Sequence, residues 1–531
     1  MSEDFIKRGF NAENAIKKTY YEINELLTEM GSSMDKFPSM PIIDTTSITT
    51  AEREIDLDEE KAIYKKMYGK MNDKQKEITK KIKKLLKNKN EYFNVNGIKT
   101  RCVFINGAGG TGKTFIYKAL YHYSRYKGYY GFNTSFSGIA STLLPEGRTV
   151  HNLFKLPVPL HHESNSNIEA GTKQAKDIIN SDYILIDEAP MLPRYAIEII
   201  NRKLSELKND KTKSPFGNHL IITGGDFAQT LPILKGGSRY QQVDLSIKHS
   251  QLWKYFKVFE LTENMRAEKD AKEFAKFIRN VGLGIKNFPN EPDGYCKLPK
   301  NRCTTDDLPN IIFGDIIKNE QYSKLKDTVL LATLNKEVNK LNEEVLNMFP
   351  GEEHIYKSID STTSDHENTI MPDMLNTCDS SRLPLHQLRI KKDSIIMLVN
   401  NLNVCKGLCN GTRLRVLKMH KRLIEVEVLT GSRAGTMFLL PRIDISDDLN
   451  FGFPVIRHQF PVKLAMCMTI NKSQGQTFKQ IGISLLSDVF SHGQLYTALS
   501  RAKSWDGILV QLRKESTNTL VKIVVYDEIL Q

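Results

Sequence analysis

The segment Gly107–Thr114 reads GAGGTGKT and matches the pattern G-x-x-x-x-G-K-[ST] at every fixed position. The apolar residues 102–106 before it predict a buried strand, and residues 115–120 continue as a helix. In this setting, backbone N–H groups at a helix N-terminus cradle phosphate groups. A glycine-rich turn that matches by chance is the alternative, but the agreement of strand, loop and helix favours a nucleotide site. Lys113 is predicted to reach the β- and γ-phosphates and the Thr114 hydroxyl to hold Mg²⁺. The predicted phosphate-binding residues are Gly107, Gly109, Gly110, Thr111, Gly112, Lys113 and Thr114.

Length and composition set broad limits on the kind of protein. The chain has 531 residues, more than one hydrophobic core usually supports, so several domains are expected. Its net charge of +13 favours a polyanionic partner. The seven cysteines lack zinc-site spacing, so we expect reduced thiols and no structural zinc. No apolar run approaches the roughly 20 residues that span a bilayer, and the N-terminus lacks a signal-peptide pattern. We therefore expect a soluble intracellular protein without a membrane partner.

The N-terminal region reads as helical. Residues 12–30 predict an amphipathic helix, and a stretch with Pro, Thr and Ser, up to residue 51, predicts a linker. Residues 73–90 predict a second helix that is rich in lysine. Those lysines are interpreted as a nuclear-import signal, as a DNA-facing arm or only as a solvated helix face.

Short buried strands then alternate with helices. Strands are predicted at 102–106, 182–186, 219–223 and 328–333. This alternation is typical of an α/β fold with mainly parallel sheets. Between about residues 390 and 445, short strand patterns separated by Asn-Gly and Gly-rich turns predict a small inserted β-barrel. The α/β pattern resumes after residue 463.

Polar groups with catalytic potential follow two of these strands. Asp187 and Glu188 end the apolar run YILI, so Asp187 is predicted to hold Mg²⁺ through water and Glu188 to polarise the attacking water. Gln229 follows the strand at 219–223 and is predicted to contact the γ-phosphate or that water. Arg266 and Arg501 are candidate arginine fingers, because a planar cation stabilises charge that develops on the γ-phosphate.

Six segments occur in the order in which superfamily-one helicases carry their motifs. They are the phosphate loop, DEAPM at 187–191, GGDFAQ at 224–229, LTENMR at 261–266, TINKSQGQT at 469–477 and HGQLYTALSR at 492–501. On these motifs the chain resembles the Pif-one-like DNA helicases from about residue 70 to 512. It looks closest to the helicase portion of Helitron transposon proteins, on the phrases DEAPM, GLCNGT at 407–412 and FSHGQLY at 490–496.

The resemblance implies two RecA-like domains with ATP bound between them and an SH3-like β-barrel as the insert. The implied domains are a helical N-terminal extension with linker (1–95), RecA-like domain 1 (96–262), RecA-like domain 2 (263–345 with 461–531) and a β-rich accessory subdomain (346–460). The family's ATPase positions correspond to Lys113, Thr114, Asp187, Glu188, Gln229, Arg266 and Arg501. Gln75 matches the glutamine that reads adenine, although its helix would equally carry a surface glutamine.

DNA contacts are also carried over from the resemblance. They are Ser137, Gly138, Thr149, His151, Phe154 and Lys155 in the first domain, and Thr469, Asn471, Lys472, Ser473 and Gln474 in the second. Hydroxyl, amide and lysine groups suit phosphate contacts, which position a strand without reading its sequence. His151 and Phe154 are predicted to stack on bases, with core packing as the alternative for both.

The resemblance predicts an ATP-dependent helicase that moves 5′ to 3′ on single-stranded DNA and unwinds forked duplex DNA, in genome maintenance or in Helitron-type replication. We expect a monomer in the nucleus or another DNA-containing compartment, with a replication-initiator nuclease as a candidate partner. A RecD-like subunit of a nuclease complex, an RNA helicase and a decayed transposon-derived DNA-binding protein are the alternatives. No replication-initiator motif precedes the helicase motifs, so a full transposase is not expected. Ala228 stands where the family usually has Arg, and Thr497 replaces a usual Val, which is interpreted as harmless.

Overall fold

The computed structural model describes most of the chain from Asp56 onward. The described residues are 16–17, 19–20, 56–209, 214–234, 236–265, 269–362, 371–380, 382–403, 406–431, 433–447, 453–515 and 518–530. Most of the helix predicted at 12–30, and the linker predicted up to residue 51, lie outside them.

A six-stranded parallel sheet organises the first α/β domain. Its strand order is β5-β4-β6-β7-β3-β8, which places the phosphate-loop strand β3 between β7 and β8. Strands β6 and β7 are buried along their whole length, as expected for parallel strands covered on both faces. A short antiparallel pair, β1 and β2, precedes the sheet. The strands are β1 (Phe93–Val95), β2 (Ile98–Thr100), β3 (Cys102–Gly107), β4 (Gly131–Ser135), β5 (Arg148–Thr149), β6 (Tyr183–Asp187), β7 (Leu220–Gly225) and β8 (Phe256–Leu261).

Helices cover both faces of this sheet. Val103 and Ile105 of β3 face a core shared with α1, α2 and α3, whereas Cys102 and Phe104 face the core that contains α5, α6 and α7. Since α1 and α2 bury their apolar sides in this domain, its core extends N-terminally past the boundary predicted at residue 95. The helices are α1 (Leu57–Gly69), α2 (Asp73–Lys87), α3 (Lys113–Lys127), α4 (Gly138–Thr142), α5 (Val150–Phe154), α6 (Lys173–Asn180), α7 (Arg194–Leu207) and α8 (Arg239–Asp244).

A five-stranded parallel sheet organises the second α/β domain, in the order β10-β24-β23-β11-β22. Helices α9 and α13 pack together on one side of it, and α10 and α11 on the other. The helices are α9 (Lys269–Leu283), α10 (Leu308–Lys318), α11 (Asn335–Met348), α13 (Gln494–Leu499) and α14 (Asp527–Leu530). The strands are β9 (Tyr295–Lys297), β10 (Cys303–Thr304), β11 (Thr328–Ala332), β22 (Cys467–Thr469), β23 (Gln480–Ser484), β24 (Ile508–Gln511) and β25 (Leu520–Lys522).

An antiparallel insert separates α11 from β22. Its main sheet has the order β18-β17-β16-β15-β21, and two smaller sheets, β12-β14 and β13-β20-β19, lie beside it. The strands are β12 (His354–Lys357), β13 (Ile359–Ser361), β14 (Gln387–Ile390), β15 (Ile395–Leu398), β16 (Arg413–Met419), β17 (Leu423–Val428), β18 (Met437–Pro441), β19 (Ile443–Asp447), β20 (Val455–Gln459) and β21 (Val462–Leu464); the helix α12 spans Pro372–Thr377.

The predicted α/β class with two mainly parallel sheets is confirmed. The insert is antiparallel and β-rich, whereas its closure into an SH3-like barrel stays a prediction. Strand β21 pairs with β15, so the sheet of the insert runs to Leu464, beyond the boundary predicted at residue 460. The pairing with β15 assigns β21 to the insert, because its sequence alone would suit the insert sheet or the sheet of the second domain.

Candidate functional site

The phosphate loop joins β3 to α3 and wraps tightly around the helix N-terminus. Gly110 and Gly112 have φ values of 87° and 88°, in the left-handed region that favours glycine. The Thr111 hydroxyl donates to the Ala108 carbonyl at 2.9 Å. Lys113 Nζ donates to the Gly107 carbonyl and, at 3.4 Å, to the Ala108 carbonyl. The loop therefore presents backbone N–H groups and one ammonium group at the helix N-terminus, as anion binding requires.

Two adjacent carboxylates end strand β6 beside this loop. Asp187 is buried, and its Oδ1 accepts a hydrogen bond from the Glu188 N–H at 2.9 Å. Glu188 has a φ of 54°, in the left-handed region, and its Oε2 accepts a hydrogen bond from the Ser137 hydroxyl at 3.0 Å. Burial and the Asp187 charge raise the pKa of Glu188 to about 7, against the opposing effects of the Ser137 hydrogen bond, Arg501 and Lys113. A carboxyl group with a pKa near neutrality is suited to accept a proton from water.

A cleft of about 330 Å³ lies between the two α/β domains and brings together most of the predicted nucleotide-site residues. The first domain contributes Gly109, Gly110, Gly112, Lys113, Thr114, Asp187, Glu188 and Gln229. The second domain contributes Arg501 together with Gln474, Gly475 and Gln476. Arg501 is buried, and its guanidinium donates to the carbonyls of Thr497 at 3.0 Å and Gln476 at 3.1 Å. The cleft thus has an ammonium group on one wall and a guanidinium group on the other.

Arg266, the other predicted arginine finger, lies outside the described residues, and its role stays a prediction.

Asp226 and Tyr496 are site residues that the motif analysis missed. Tyr496, in α13 of the second domain, donates its hydroxyl to Asp226 Oδ2 at 2.6 Å. The same oxygen accepts a hydrogen bond from Gln229 Nε2 at 3.2 Å. Within the segment GGDFAQ the sequence pointed only to Gln229, but the buried carboxylate of Asp226 beside it joins the two domains. One signal in the sequence could have pointed to this contact. Tyr496 is a polar aromatic residue within the motif HGQLYTALSR, which had been interpreted only for Arg501.

The two departures from the family pattern lie at this domain boundary. Ala228 belongs to the hydrophobic core of the second domain, although it follows a strand of the first. A Cβ atom added at Gly282 of α9 would come within 2.9 Å of the Ala228 Cβ, so the site is tightly packed around a small side chain. The Thr497 hydroxyl accepts a hydrogen bond from the Thr230 N–H at 3.1 Å. Valine has no such acceptor, so the interpretation of Thr497 as a harmless change misses this link between the domains.

Gln75 supports the phosphate loop from outside the cleft. Its side chain forms a capping box with Asn72 at the start of α2, and its Nε2 donates to the Thr111 carbonyl at 3.0 Å. The residue is only 1% exposed, so the surface alternative is wrong. Adenine recognition by Gln75 stays a prediction.

Part of the predicted strand-binding set is accessible. Lys155 and Lys472 are exposed, and His151, Thr469 and Asn471 are half-buried. They lie on different domains: His151 in the first turn of α5 and Lys155 directly after that helix, and Thr469 at the end of β22 with Asn471 and Lys472 shortly after it. Each domain therefore offers polar or cationic side chains to solvent near one of the predicted DNA motifs.

Other residues predicted to contact DNA are buried or contact other parts of the protein. Thr149 is buried and caps α5, and the buried Ser473 donates to a carbonyl of its own turn. Gln474 is 3% exposed and donates to the Thr230 carbonyl at 3.3 Å in the domain interface. Gly138 lies against the insert, where an added Cβ would come within 3.1 Å of the Asn410 carbonyl. As a correction, the hydroxyl and amide groups of Thr149, Ser473 and Gln474 serve caps, turns and the interface, because buried polar groups need partners.

Phe154 does not stack on DNA bases, and that prediction is wrong. Its side chain is 0% exposed and packs in the core of the first domain. Helical periodicity explains the difference, because Val150, Leu153 and Phe154 share the inner side of α5 while His151 and Lys155 face outward.

We expect Phe154→Ala to lower the free energy of unfolding by about 3–5 kcal/mol, because it removes a fully buried aromatic side chain. Urea unfolding measures the loss, and single-stranded DNA affinity at a temperature where the variant is folded should be nearly unchanged. The matched control is His151→Ala, for which the larger effect should be on DNA affinity. Unchanged stability with weakened DNA binding in Phe154→Ala would contradict the core assignment.

In the part of the chain that the structure describes, no helix is long and apolar enough to cross a membrane.

Two family models match parts of this chain. A family model described as PIF1-like helicase matches residues 70–292, and one described as the 2B domain of DNA helicase Pif1 matches residues 373–419. The ATP-dependent DNA helicase PIF1 of Xenopus laevis is 28% identical over 423 residues, which cover 77% of this chain and 59% of the relative. For the Homo sapiens protein of the same name, the identity is 27% over 425 residues, with coverages of 78% and 58%. The chain thus spans less than two thirds of the length of these relatives.

A solved structure shows a similar fold. Bacteroides Pif1 bound to single-stranded DNA aligns with a TM-score of 0.58 at 24% identity, over 81% of this chain and 91% of that one. At this identity, the likeness shows the fold alone.

Proposed function

Because the chain belongs to the PIF1-like helicase family, we propose that it is an ATP-dependent helicase that moves along single-stranded DNA. One observation carries the proposal: Lys113 and Glu188 from one α/β domain and Arg501 from the other line a single cleft. A nucleotide there contacts both domains, so its hydrolysis changes how firmly the domains are held together.

The cleft residues divide the proposed reaction among them. The loop backbone and Lys113 hold the phosphates, Glu188 accepts a proton from the attacking water, and Arg501 stabilises charge that develops on the γ-phosphate. The Thr114 hydroxyl and Asp187 carboxylate are hard oxygen ligands that suit Mg²⁺, which would neutralise part of the phosphate charge. The described residues contain no group of three His, Cys, Asp or Glu side chains that could hold a metal. A Mg²⁺ ion held by few protein ligands together with phosphates is compatible with this.

Hydrogen bonds across the domain boundary suggest how hydrolysis produces movement. Beside the cleft, the Thr230 N–H donates to Thr497, Tyr496 donates to Asp226, and a ring nitrogen of His492 lies 2.8 Å from the Phe227 carbonyl. When the cleft closes or opens, these contacts shift, and the residues of the two domains that face the DNA move relative to each other. Alternating grip by the two surfaces on the phosphate backbone then advances the protein along one strand.

The proposed substrates are single-stranded DNA and forked duplex DNA. Accessible Lys155 and Lys472 and a net charge of +13 suit a polyanion. The relatives are named DNA helicases, and Pif1 of Bacteroides was solved with single-stranded DNA. We further propose 5′-to-3′ movement, action as a monomer in the nucleus or another DNA-containing compartment, and a replication-initiator nuclease as a partner.

We expect partial duplexes with a 5′ single-stranded tail to be unwound in the presence of ATP and Mg²⁺, and 3′-tailed duplexes to stay intact. A strand-displacement assay with fluorescent DNA measures this, with a blunt duplex as the substrate control. Selective unwinding of the 3′-tailed substrate would reverse the proposed polarity.

The same assay separates the alternatives. Preference for an RNA duplex would indicate an RNA helicase, and a nuclease that co-purifies in a stable complex would indicate a RecD-like subunit. A protein that binds single-stranded DNA but shows no DNA-stimulated ATP hydrolysis would be a decayed DNA-binding protein. The joint presence of Lys113, Glu188 and Arg501 in one cleft favours an active enzyme over this last reading.

A further inference from the structure

We propose that Ser137 is a positioning residue that orients the carboxylate of Glu188 for water activation. The inference rests on the proposed ATP hydrolysis and assigns a different task to a side chain expected to contact DNA. Ser137 Oγ donates to Glu188 Oε2 at 3.0 Å. It also accepts a hydrogen bond from the Ala140 N–H at 3.2 Å and thereby caps helix α4. A serine hydroxyl has one hydrogen to donate, so this contact with Glu188 leaves none for a DNA phosphate.

The Glu188 carboxylate depends on this contact for its orientation. Within the described ranges, Ser137 is the one protein group that donates a hydrogen bond to its side chain. On the other side, Gly475 of the second domain approaches so closely that an added Cβ would lie 3.0 Å from Glu188 Oε1. The adjacent Asp187 carboxylate carries a charge of the same sign and repels the Glu188 carboxylate. Without the hydroxyl, repulsion and side-chain entropy favour other rotamers of Glu188.

The position of Ser137 is itself held from two directions. It follows strand β4 and caps helix α4, whose first residue, Gly138, lies against Cys409 and Asn410 in a turn of the insert. In that turn Gly411 has a φ of 92°, and an added Cβ would come within 2.6 Å of the Ile139 side chain. Helix α4 is short and packs against the insert, so its N-cap residue has little freedom to shift. Ser137 is therefore placed firmly enough to direct another side chain.

The test compares four variants of the full chain in DNA-stimulated ATP hydrolysis. Ser137→Ala should lower kcat roughly 10- to 100-fold, the range expected for a hydrogen bond to a charged group, with the KM for ATP within about 2-fold of wild type. Ser137→Thr keeps both the donor and the cap, and it should retain at least about a third of wild-type kcat. Ser141→Ala is the matched control, because the Ser141 hydroxyl donates to the Gly138 carbonyl of the same helix at 2.6 Å.

Ser137→Asp separates positioning from helix capping. Aspartate caps helices as well as serine does, but ionised it has no proton to donate and adds a negative charge beside Glu188. A positioning role predicts kcat at or below that of Ser137→Ala, whereas a capping role predicts near wild-type kcat. Crystal structures of the nucleotide-free Ala and Thr variants add a readout independent of activity. The Glu188 carboxylate should rotate away from residue 137 only in the Ala variant.

The outcomes distinguish this inference from the proposed function. If wild type hydrolyses ATP and Ser137→Asp equals it, or if Ser137→Ala changes KM and not kcat, the positioning role is wrong and the ATPase proposal stands. If wild type shows no DNA-stimulated hydrolysis, the proposed function fails first. An unchanged Glu188 conformation in the Ala structure also overturns the inference.

Discussion

Replacing Lys113 with alanine is expected to lower DNA-stimulated ATP hydrolysis by on the order of 10³-fold while the fold is retained. Lys113 is the one lysine among the described residues that line the cleft between the domains. Its ammonium group now donates to the Gly107 and Ala108 carbonyls, and we expect it to turn to the β- and γ-phosphates when ATP binds. Phosphate release, measured with and without single-stranded DNA, quantifies the loss.

The fold should survive because alanine suits the first turn of a helix as well as lysine does. Thermal unfolding of the variant checks this. Lys118→Ala provides a matched control, since Lys118 lies on the same helix but does not line the cleft. Near wild-type hydrolysis in Lys113→Ala would contradict the role assigned to the phosphate loop.

Arg501→Ala is expected to lower kcat by on the order of 10³-fold and to leave ATP binding within a few-fold of wild type. Arg501 and Glu188 line the same cleft, and the positive charge of Arg501 lowers the pKa of Glu188 against the larger effects that raise it. The charge on the γ-phosphate oxygens changes as the bond to the β-phosphate breaks. A cation from the second domain is therefore expected to stabilise the transition state more strongly than it stabilises bound ATP. Steady-state kinetics and binding of a fluorescent nucleotide separate the two effects.

Arg501 also has a structural task that the experiment must separate from catalysis. It donates to carbonyls of Thr497 and Gln476, so alanine leaves buried acceptors without a partner. Arg501→Lys keeps the positive charge but lacks the planar guanidinium group. Compared with Arg501→Ala, it should recover more of the wild-type stability than of the wild-type kcat. Arg513→Ala is the matched surface control, because that residue pairs with Asp488 outside the cleft. Wild-type turnover in a folded Arg501→Ala variant would remove Arg501 from the finger role.

The site was most predictable where its residues are contiguous in sequence. The phosphate loop needs two left-handed glycines, a lysine and a hydroxyl residue within a few positions, so the sequence alone carries its signal. Asp187 and Glu188 were recognisable for the same reason, since an apolar strand directly precedes them. Parallel pairing of β6, β7 and β3 then brings Gln229 to the same sheet edge.

Prediction was weakest for side chains whose roles depend on which way they face. In α5, His151 and Phe154 occupy neighbouring motif positions, but only Phe154 points into the core. Ser137 and Gln474 carry groups suited to phosphate contacts, yet one bonds Glu188 and the other bonds a carbonyl of the opposite domain. Residue type defines which bonds a side chain is able to make, whereas packing selects the partner.

The sequence by itself determined the α/β class, the phosphate loop and the strand-end carboxylates, because each depends on local periodicity or on a few adjacent residues. Only the tertiary structure decided that Thr497, Tyr496 and Asp226 join the domains and that Ser137 faces Glu188. Asp226 and Tyr496 are separated by 270 positions, and nothing local in either segment encodes their 2.6 Å hydrogen bond. That contact exists because the end of β7 in the first domain and helix α13 of the second domain meet beside one cleft.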